Sequence, residues 1–244
     1  MLIMELTTPV IQQVADWGAE QPWVARIQIG LPDLIRGARV QDKDEALEHL
    51  LWLYQQIGDE LSNAFIALRR IKKGGMLLYE EQKEYSNLYG HLWSVYKDRF
   101  QSFMKEFGYD IGFVFKKDDA FNKGLADHCR KYGLPSEFKQ AVAYDRINWQ
   151  LQLANIRNEY NEHRKLPTDV DVKYFKPDVA YVLFNNVWQA VEDMVASHIK
   201  AEYDIKSKIV TIYEIPEEKR DPSMPIRFKL GLTHEGMKGL SITQ

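Results

Sequence analysis

Apolar residues recur at spacings of three and four over long stretches of this chain, which is the pattern of amphipathic helices. The long stretches predicted as helices are 43–72, 78–107, 136–165 and 177–204, and shorter ones lie near 8–17 and at 118–132. Gly74 and Gly75 are predicted to end the first long helix. Residues 111–116 fit a short strand or an extended crossing.

The hydrophobic period changes near the end of the chain, where 209–213 and 226–230 have the alternation and β-branched residues of strands. We therefore predict a mainly all-α protein, an up-and-down bundle of four long helices with short extra helices and a small C-terminal β-hairpin. The predicted domains are an N-terminal extension packed on the bundle (1–41), the helical bundle (42–204) and the β-hairpin appendage (205–244).

The predicted helix at 136–165 is apolar on two sides. Trp149 and Leu153 belong to one stripe, whereas Ile147 and Leu151 belong to the other. A helix of this kind lies deep in a bundle or on a dimer interface. We therefore predict a homodimer that forms through this helix.

Composition narrows the function mainly by exclusion. The net charge of −3 excludes a strongly basic coat for nucleic acid, although a local basic patch is still possible. A single cysteine, Cys129, excludes an intrachain disulfide and a multi-cysteine zinc site, and it fits a reducing compartment. Because the chain has no run of 18 apolar residues and no secretory signal pattern, we expect a cytoplasmic protein without a membrane span.

The common sequence motifs of nucleotide-binding sites, hydrolases and zinc proteases are missing. No histidine follows a glutamate by three residues, as the di-iron bundles require. His163 follows Glu159 by four residues, so a metal site with Asp145 is an alternative, but we predict no cofactor. His91 shows no partner set in the sequence.

A cluster of polar residues lies at the end of the helix 136–165. It contains Arg157, Asn158 and His163, where an otherwise apolar helix becomes polar. With Trp149 at zero on a helical wheel, Arg157 falls near roughly +80° and His163 near roughly −40°, about 9 Å apart along the axis. The side chains of Arg157 and His163 therefore do not meet on one straight helix. A second copy packed antiparallel across a two-fold axis would place Arg157 of one chain near the partner's His163.

Arg157-Asn158 followed by His163 resembles the Arg-x(4–6)-His motif of the HEPN superfamily (higher eukaryote and prokaryote nucleotide-binding domains). A polar residue after the arginine and a helical bundle around the motif are also typical of that family. The resemblance covers roughly 43–204. It implies a metal-independent endoribonuclease, often of a toxin–antitoxin or other defence system, with its site in a cleft between two protomers.

The resemblance also implies a role for each residue of the segment. His163 would transfer a proton, Arg157 would hold the phosphate, and Asn158 would orient either group. The residues implied to complete the RNA-binding site are Glu159, Tyr160, Arg164 and Lys165. An antitoxin-like protein is the implied partner.

The same segment also fits a solvated helix end whose charges pair at spacings of three and four. Glu159 and Glu162 offset the basic residues there, which weakens RNA binding. The HEPN superfamily also has non-catalytic members. The alternative function is therefore a non-catalytic, dimeric helical protein that binds or regulates a partner.

Overall fold

The architecture comes from a computed structural model of the chain. It describes residues 10–13, 23, 27, 45–106, 109–158, 174–196, 199–204, 206, 209–214, 217–219, 228–233 and 236–242. The chain divides into two compact units, one of 1–55, 126–139 and 190–244 and one of 56–125 and 140–189. Helices predominate in the described residues, which confirms the predicted helical class. The four-helix arrangement and the predicted domain boundaries stay predictions.

The helices follow the predicted periodicity closely. They are α1 Glu45–Lys73, α2 Leu78–Trp93, α3 Gln101–Glu106, α4 Asp118–Tyr132, α5 Ser136–Asp145, α6 Leu151–Arg157 and α7 Pro177–Ala196. Short 3-10 turns lie at Gly112–Phe115 and Glu217–Lys219. None of the described helices combines the length and the apolar character needed to cross a membrane.

Two of the predicted long helices contain a π-helical segment that the sequence did not indicate. The first, Ser94–Phe100, lies between α2 and α3, and the second, Arg146–Gln150, lies between α5 and α6. A π-helical turn holds more residues than an α-helical turn, so the side chains after it are rotated. The wheel angles predicted for Arg157 assumed an uninterrupted helix and therefore do not hold.

Local hydrogen bonds explain the turns between the helices. Gly74 and Gly75 end α1 as predicted, with φ angles of +64° and +77°, which glycine adopts without strain. The Glu80 carboxylate accepts a hydrogen bond from the Leu77 N–H at 3.1 Å at the start of α2. The prediction of a strand at 111–116 is wrong, because the Asp110 carboxylate accepts the Gly112 N–H at 2.8 Å and begins a 3-10 turn.

Strands lie toward both ends of the chain. They are β1 Val10–Gln13, β2 Ile199–Asp204, β3 Ile209–Glu214, β4 Phe228–Thr233 and β5 Gly236–Ile242. β3 lies between β1 and β2 and is antiparallel to both, whereas β4 pairs with β5. In this register Val10 lies opposite Ile212, and Ile199 lies opposite Glu214.

Three predictions for these terminal segments are corrected by the strands. The helix near 8–17 is wrong because β1 lies there, and the helix 177–204 ends at Ala196 because β2 follows. The predicted pairing of 209–213 with 226–230 also differs, since β3 pairs with β1 and β2. The short connection from β2 to β3 closes at a lower cost in entropy than the longer one from β3 to β4.

The unit of 56–125 and 140–189 has an apolar core built from the predicted apolar stripes. Its fully buried side chains include Ile57, Leu61, Leu88, Leu92, Phe100 and Leu153. They come from α1, α2, the first π-helical segment and α6. Burial of each such side chain contributes about 1.5–3 kcal/mol, so this core holds the π-helical segments in place.

Candidate functional site

A pocket lies between the two π-helical segments in the unit of 56–125 and 140–189. It encloses about 50 Å³, and its walls also include the 3-10 turn at Gly112–Phe115. The lining residues that matter most are Trp93, Tyr96, Phe115, Arg146, Trp149 and Gln150. A mostly apolar lining with a few polar groups is typical of a small-molecule site. We call it the aromatic pocket.

Aromatic rings form the walls of the aromatic pocket. Tyr96 packs edge-to-face on Trp149, with 4.9 Å between ring centroids, and on Phe115 at 5.5 Å. Phe115 in turn packs edge-to-face on Trp93 at 5.7 Å. Such pairs contribute about 0.5–1.5 kcal/mol beyond the area that they bury. The walls are therefore preformed.

The polar end of the aromatic pocket consists of Gln150 and Tyr96. Gln150 Nε2 donates to the Tyr96 hydroxyl at 2.9 Å, while Gln150 Oε1 is buried and has no hydrogen-bond partner within the described part of the chain. Leaving a buried acceptor unpaired costs about 1–3 kcal/mol. Burial, and then the charge of Asp145, raises the pKa of Tyr96 well above its usual range, so its hydroxyl stays protonated.

Arg146 fastens the second π-helical segment to the residues around the 3-10 turn. Its Nη1 donates to the Val114 carbonyl at 3.0 Å, and its Nη2 donates to the Lys116 carbonyl and to Asp118 Oδ1, both at 2.8 Å. The guanidinium lies 4.2 Å from the centroid of the Phe121 ring. Arg146 therefore connects the second π-helical segment to residues 114–118 and stabilises this wall of the pocket.

Arg157 and Asn158 are the predicted site residues that the structure describes. Arg157 ends α6, and its guanidinium carbon lies 5.7 Å from the centroid of the Trp93 ring, a wall of the aromatic pocket. Its Nη1 donates to Asn158 Oδ1 at 3.2 Å. Arg157 is half-buried and Asn158 is exposed. The structure therefore brings the predicted arginine and amide to the edge of the pocket.

The other predicted site residues lie outside the described residues; they are Glu159, Tyr160, His163, Arg164 and Lys165. The approach of Arg157 to His163 therefore stays a prediction. The described residues contain no group of three histidine, cysteine, aspartate or glutamate side chains that could hold a metal ion. Two members of the alternative metal site, Glu159 and His163, lie outside that search.

A second polar cluster lies on α1, α2 and the first π-helical segment. His91 Nδ1 is 2.7 Å from Glu60 Oε2, and Ser94 Oγ donates to Glu60 Oε1 at 3.1 Å. Arg99 Nη2 lies 3.6 Å from Glu60 Oε1. The sequence showed no partner for His91, because Glu60 is 31 positions away and periodicity reports only local neighbours. This cluster ties α1 to α2.

The second apolar stripe of the predicted helix 136–165 is exposed at Ile147 (75%) and Leu151 (38%), but it is half-buried at Ala154, which lines the aromatic pocket. Tyr144, which precedes Ile147 by three residues, is 67% exposed. Trp149 and Leu153 of the first stripe are buried. This helix is therefore not buried on both sides within one chain, which leaves the dimer interface as the alternative for its exposed side.

Sequence reasoning missed the aromatic pocket because Trp93, Tyr96 and Trp149 have the spacing of ordinary core residues. The one signal was Gln150, a polar residue between two apolar stripes. The chain matches no known family model, no curated protein and no solved structure. Its function must therefore be argued from its own residues.

Proposed function

We propose that this chain is a HEPN-like, metal-independent endoribonuclease of a defence or toxin–antitoxin system, built on an up-and-down bundle of its four long helices. The position of Arg157 is the observation that carries the proposal. Its side chain donates to Asn158 and lies against Trp93 at the edge of the aromatic pocket. A guanidinium is a permanently charged fork that suits phosphate, and aromatic rings next to it suit RNA bases.

The proposed reaction needs few groups. The 2′-hydroxyl of the RNA attacks the adjacent phosphorus, the bond to the 5′-oxygen breaks, and a 2′,3′-cyclic phosphate forms. His163 takes the proton from the 2′-hydroxyl and returns it to the leaving 5′-oxygen, which becomes a hydroxyl, since histidine titrates near neutrality. Arg157 stabilises the charge that develops on the phosphate oxygens, and Asn158 orients the phosphate or His163.

The proposed site is shared between two copies of the chain. Arg157 and His163 are six residues apart, so a straight helix holds them about 9 Å apart along its axis. An antiparallel partner helix pairs Arg157 of one protomer with the partner's His163. Tyr160, Arg164 and Lys165 complete the proposed contacts with RNA, and Glu159 tunes the site by pairing with His163 or Arg157.

We expect the purified protein to cleave end-labelled RNA in EDTA and to leave 2′,3′-cyclic phosphate ends. Arg157→Ala and His163→Ala should each lower the cleavage rate at least ~100-fold, because each removes a group that acts in the transition state. The matched control is Arg130→Ala, since Arg130 is exposed and pairs with Asp127, three positions earlier on the same helix. Intact RNA with the wild-type protein, or unchanged rates in both variants, would refute the proposal.

A non-catalytic dimeric protein that binds or regulates a partner such as an antitoxin is the second candidate function. The exposed apolar residues Tyr144, Ile147 and Leu151 favour this function, because exposed apolar patches often mark sites where another protein binds. A second copy of the chain can bind there, since two antiparallel copies of the same helix match apolar side chains to apolar side chains. Both candidate functions therefore require a dimer that forms through the predicted helix 136–165. They differ in whether the dimer cleaves RNA.

We expect the wild-type chain to sediment as a dimer, and we expect Ile147→Glu to weaken dimerisation at least ~100-fold. The substitution places two uncompensated carboxylates in one apolar interface, and each pays a desolvation cost of several kcal/mol. Sedimentation equilibrium measures the dissociation constant. Val182→Glu is the matched control, because Val182 is 54% exposed on α7. A wild-type monomer, or equal effects of both substitutions, would refute the dimer.

A further inference from the structure

The volume of the aromatic pocket suits one small ring. The pocket encloses about 50 Å³. A water molecule needs about 10–15 Å³ by this measure, so roughly three to five waters fill it, and they occupy roughly 100–150 Å³ of liquid. A six-membered ring has this size, whereas a bicyclic purine is larger. Lys116 is exposed at the lining, so the rest of a ligand can remain outside.

The polar end of the pocket requires a ligand with a donor next to an acceptor. Gln150 lines the pocket and is 7% exposed, and a ligand N–H that reaches its Oε1 would satisfy an acceptor that lacks a partner within the described part of the chain. The Tyr96 hydroxyl accepts from Gln150 Nε2, so it can donate its own proton to a ligand acceptor. Uracil and cytosine both place an N–H group beside an acceptor on their pairing edges.

The charges around the pocket favour an anionic ligand over a cationic one. Aromatic cages often bind quaternary ammonium groups, but cations already lie against this wall. Lys97 Nζ is 5.3 Å and the Arg157 guanidinium carbon is 5.7 Å from the centroid of the Trp93 ring. Lys116 adds a third positive charge at the lining. A nucleotide satisfies this pattern with a neutral base for the pocket and a phosphate for the cations.

We propose that the aromatic pocket binds one pyrimidine base of a nucleotide, with the attached phosphate directed toward Arg157. Arg157 lies three residues beyond Ala154, a lining residue, which is about 4.5 Å along the helix axis. The inference deepens the proposed ribonuclease and rests on it for RNA as the source of the base. The enzyme would then cut next to a pyrimidine.

Binding of oligonucleotides that cannot be cleaved tests this inference apart from catalysis. Fluorescence anisotropy would compare labelled 2′-deoxy oligomers of uracil and of adenine, which lack the attacking hydroxyl. We expect the uracil oligomer to bind at least ~10-fold more tightly. Gln150→Leu and Tyr96→Phe should each remove most of that preference, because each deletes one polar group and keeps the size of the side chain. Gln140→Leu, at an exposed position of α5, is the matched control.

The outcomes separate this inference from the proposed function. A uracil preference that depends on Gln150 and Tyr96 supports the pocket even when no RNA is cleaved. Equal binding of both oligomers, or an unchanged preference in both variants, refutes the binding of a pyrimidine base in the pocket. The ribonuclease proposal is then still tested separately, by cleavage of RNA in EDTA. Circular dichroism of Tyr96→Phe and Gln150→Leu confirms that a lost preference does not come from unfolding.

Discussion

Arg146→Ala should lower the free energy of unfolding by about 3 kcal/mol, because a buried group that loses its hydrogen-bond partner costs about 1–3 kcal/mol and the truncation also removes buried packing. The ion pair with Asp118 adds little, since that carboxylate is 82% exposed. Arg146 is 6% exposed and donates to two backbone carbonyls and to Asp118. Alanine leaves the Val114 and Lys116 carbonyls without these donors and opens a cavity beside Phe121. Urea unfolding followed by circular dichroism measures the change.

Two further substitutions isolate the cause of that loss. Arg130→Ala removes an exposed arginine from an ion pair with Asp127, and such pairs contribute at most about 1 kcal/mol. Arg146→Lys keeps the charge but replaces the planar fork by a single ammonium, so we expect about half of the alanine effect. A loss below about 1 kcal/mol in Arg146→Ala would show that the tie to residues 114–118 contributes little.

The helices were predictable because amphipathic periodicity depends only on neighbours within a few turns. α1 spans Glu45–Lys73 against a prediction of 43–72, and α4 matches its predicted bounds. The π-helical segments were not predictable for the opposite reason. Arg146 is held by partners 28 to 32 positions earlier, and no local pattern shows such contacts.

The predictions for the segments that form β1 and β2 were wrong for a similar reason. β1 and β2 both pair with β3, so a segment near the start of the chain and one after α7 depend on the same central strand. A partner strand supplies backbone hydrogen bonds that outweigh the weak helical pattern at either segment. Strand formation is therefore a property of the pairing and not of each segment alone.

Part of the candidate site was predictable and part was not. The motif singled out Arg157 and Asn158, and the structure places their side chains within hydrogen-bond distance of each other. The wall residues Trp93 and Trp149 could not be told from core residues, since lining a pocket and filling a core require the same apolar spacing. Within the described residues of this pocket, the distinguishing feature is Gln150 Oε1, a buried acceptor without a hydrogen-bond partner.

Gly124→Ala should lower the free energy of unfolding by about 2–3 kcal/mol, although alanine is worth about 1 kcal/mol more than glycine within a helix. A Cβ atom at Gly124 would lie 2.2 Å from Phe113 Cβ and 3.0 Å from Phe113 Cγ. The nearest atom belongs to the base of the Phe113 side chain, so a rotamer change does not relieve the clash. The 3-10 turn and α4 must therefore move apart, and overpacking of this kind outweighs the gain in helix propensity.

Asn122→Ala is the matched control for that experiment, since it lies on the same helix, is exposed, and gains helix propensity without a clash. We expect it to be neutral or to stabilise by a few tenths of a kcal/mol. The sign of the difference between the two variants then reports the contact between α4 and the 3-10 turn. Because Val114 and Phe115 of that turn line the aromatic pocket, Gly124→Ala should also weaken binding of the uracil oligomer. Equal stability of the two variants would mean that α4 does not fix the position of the pocket wall.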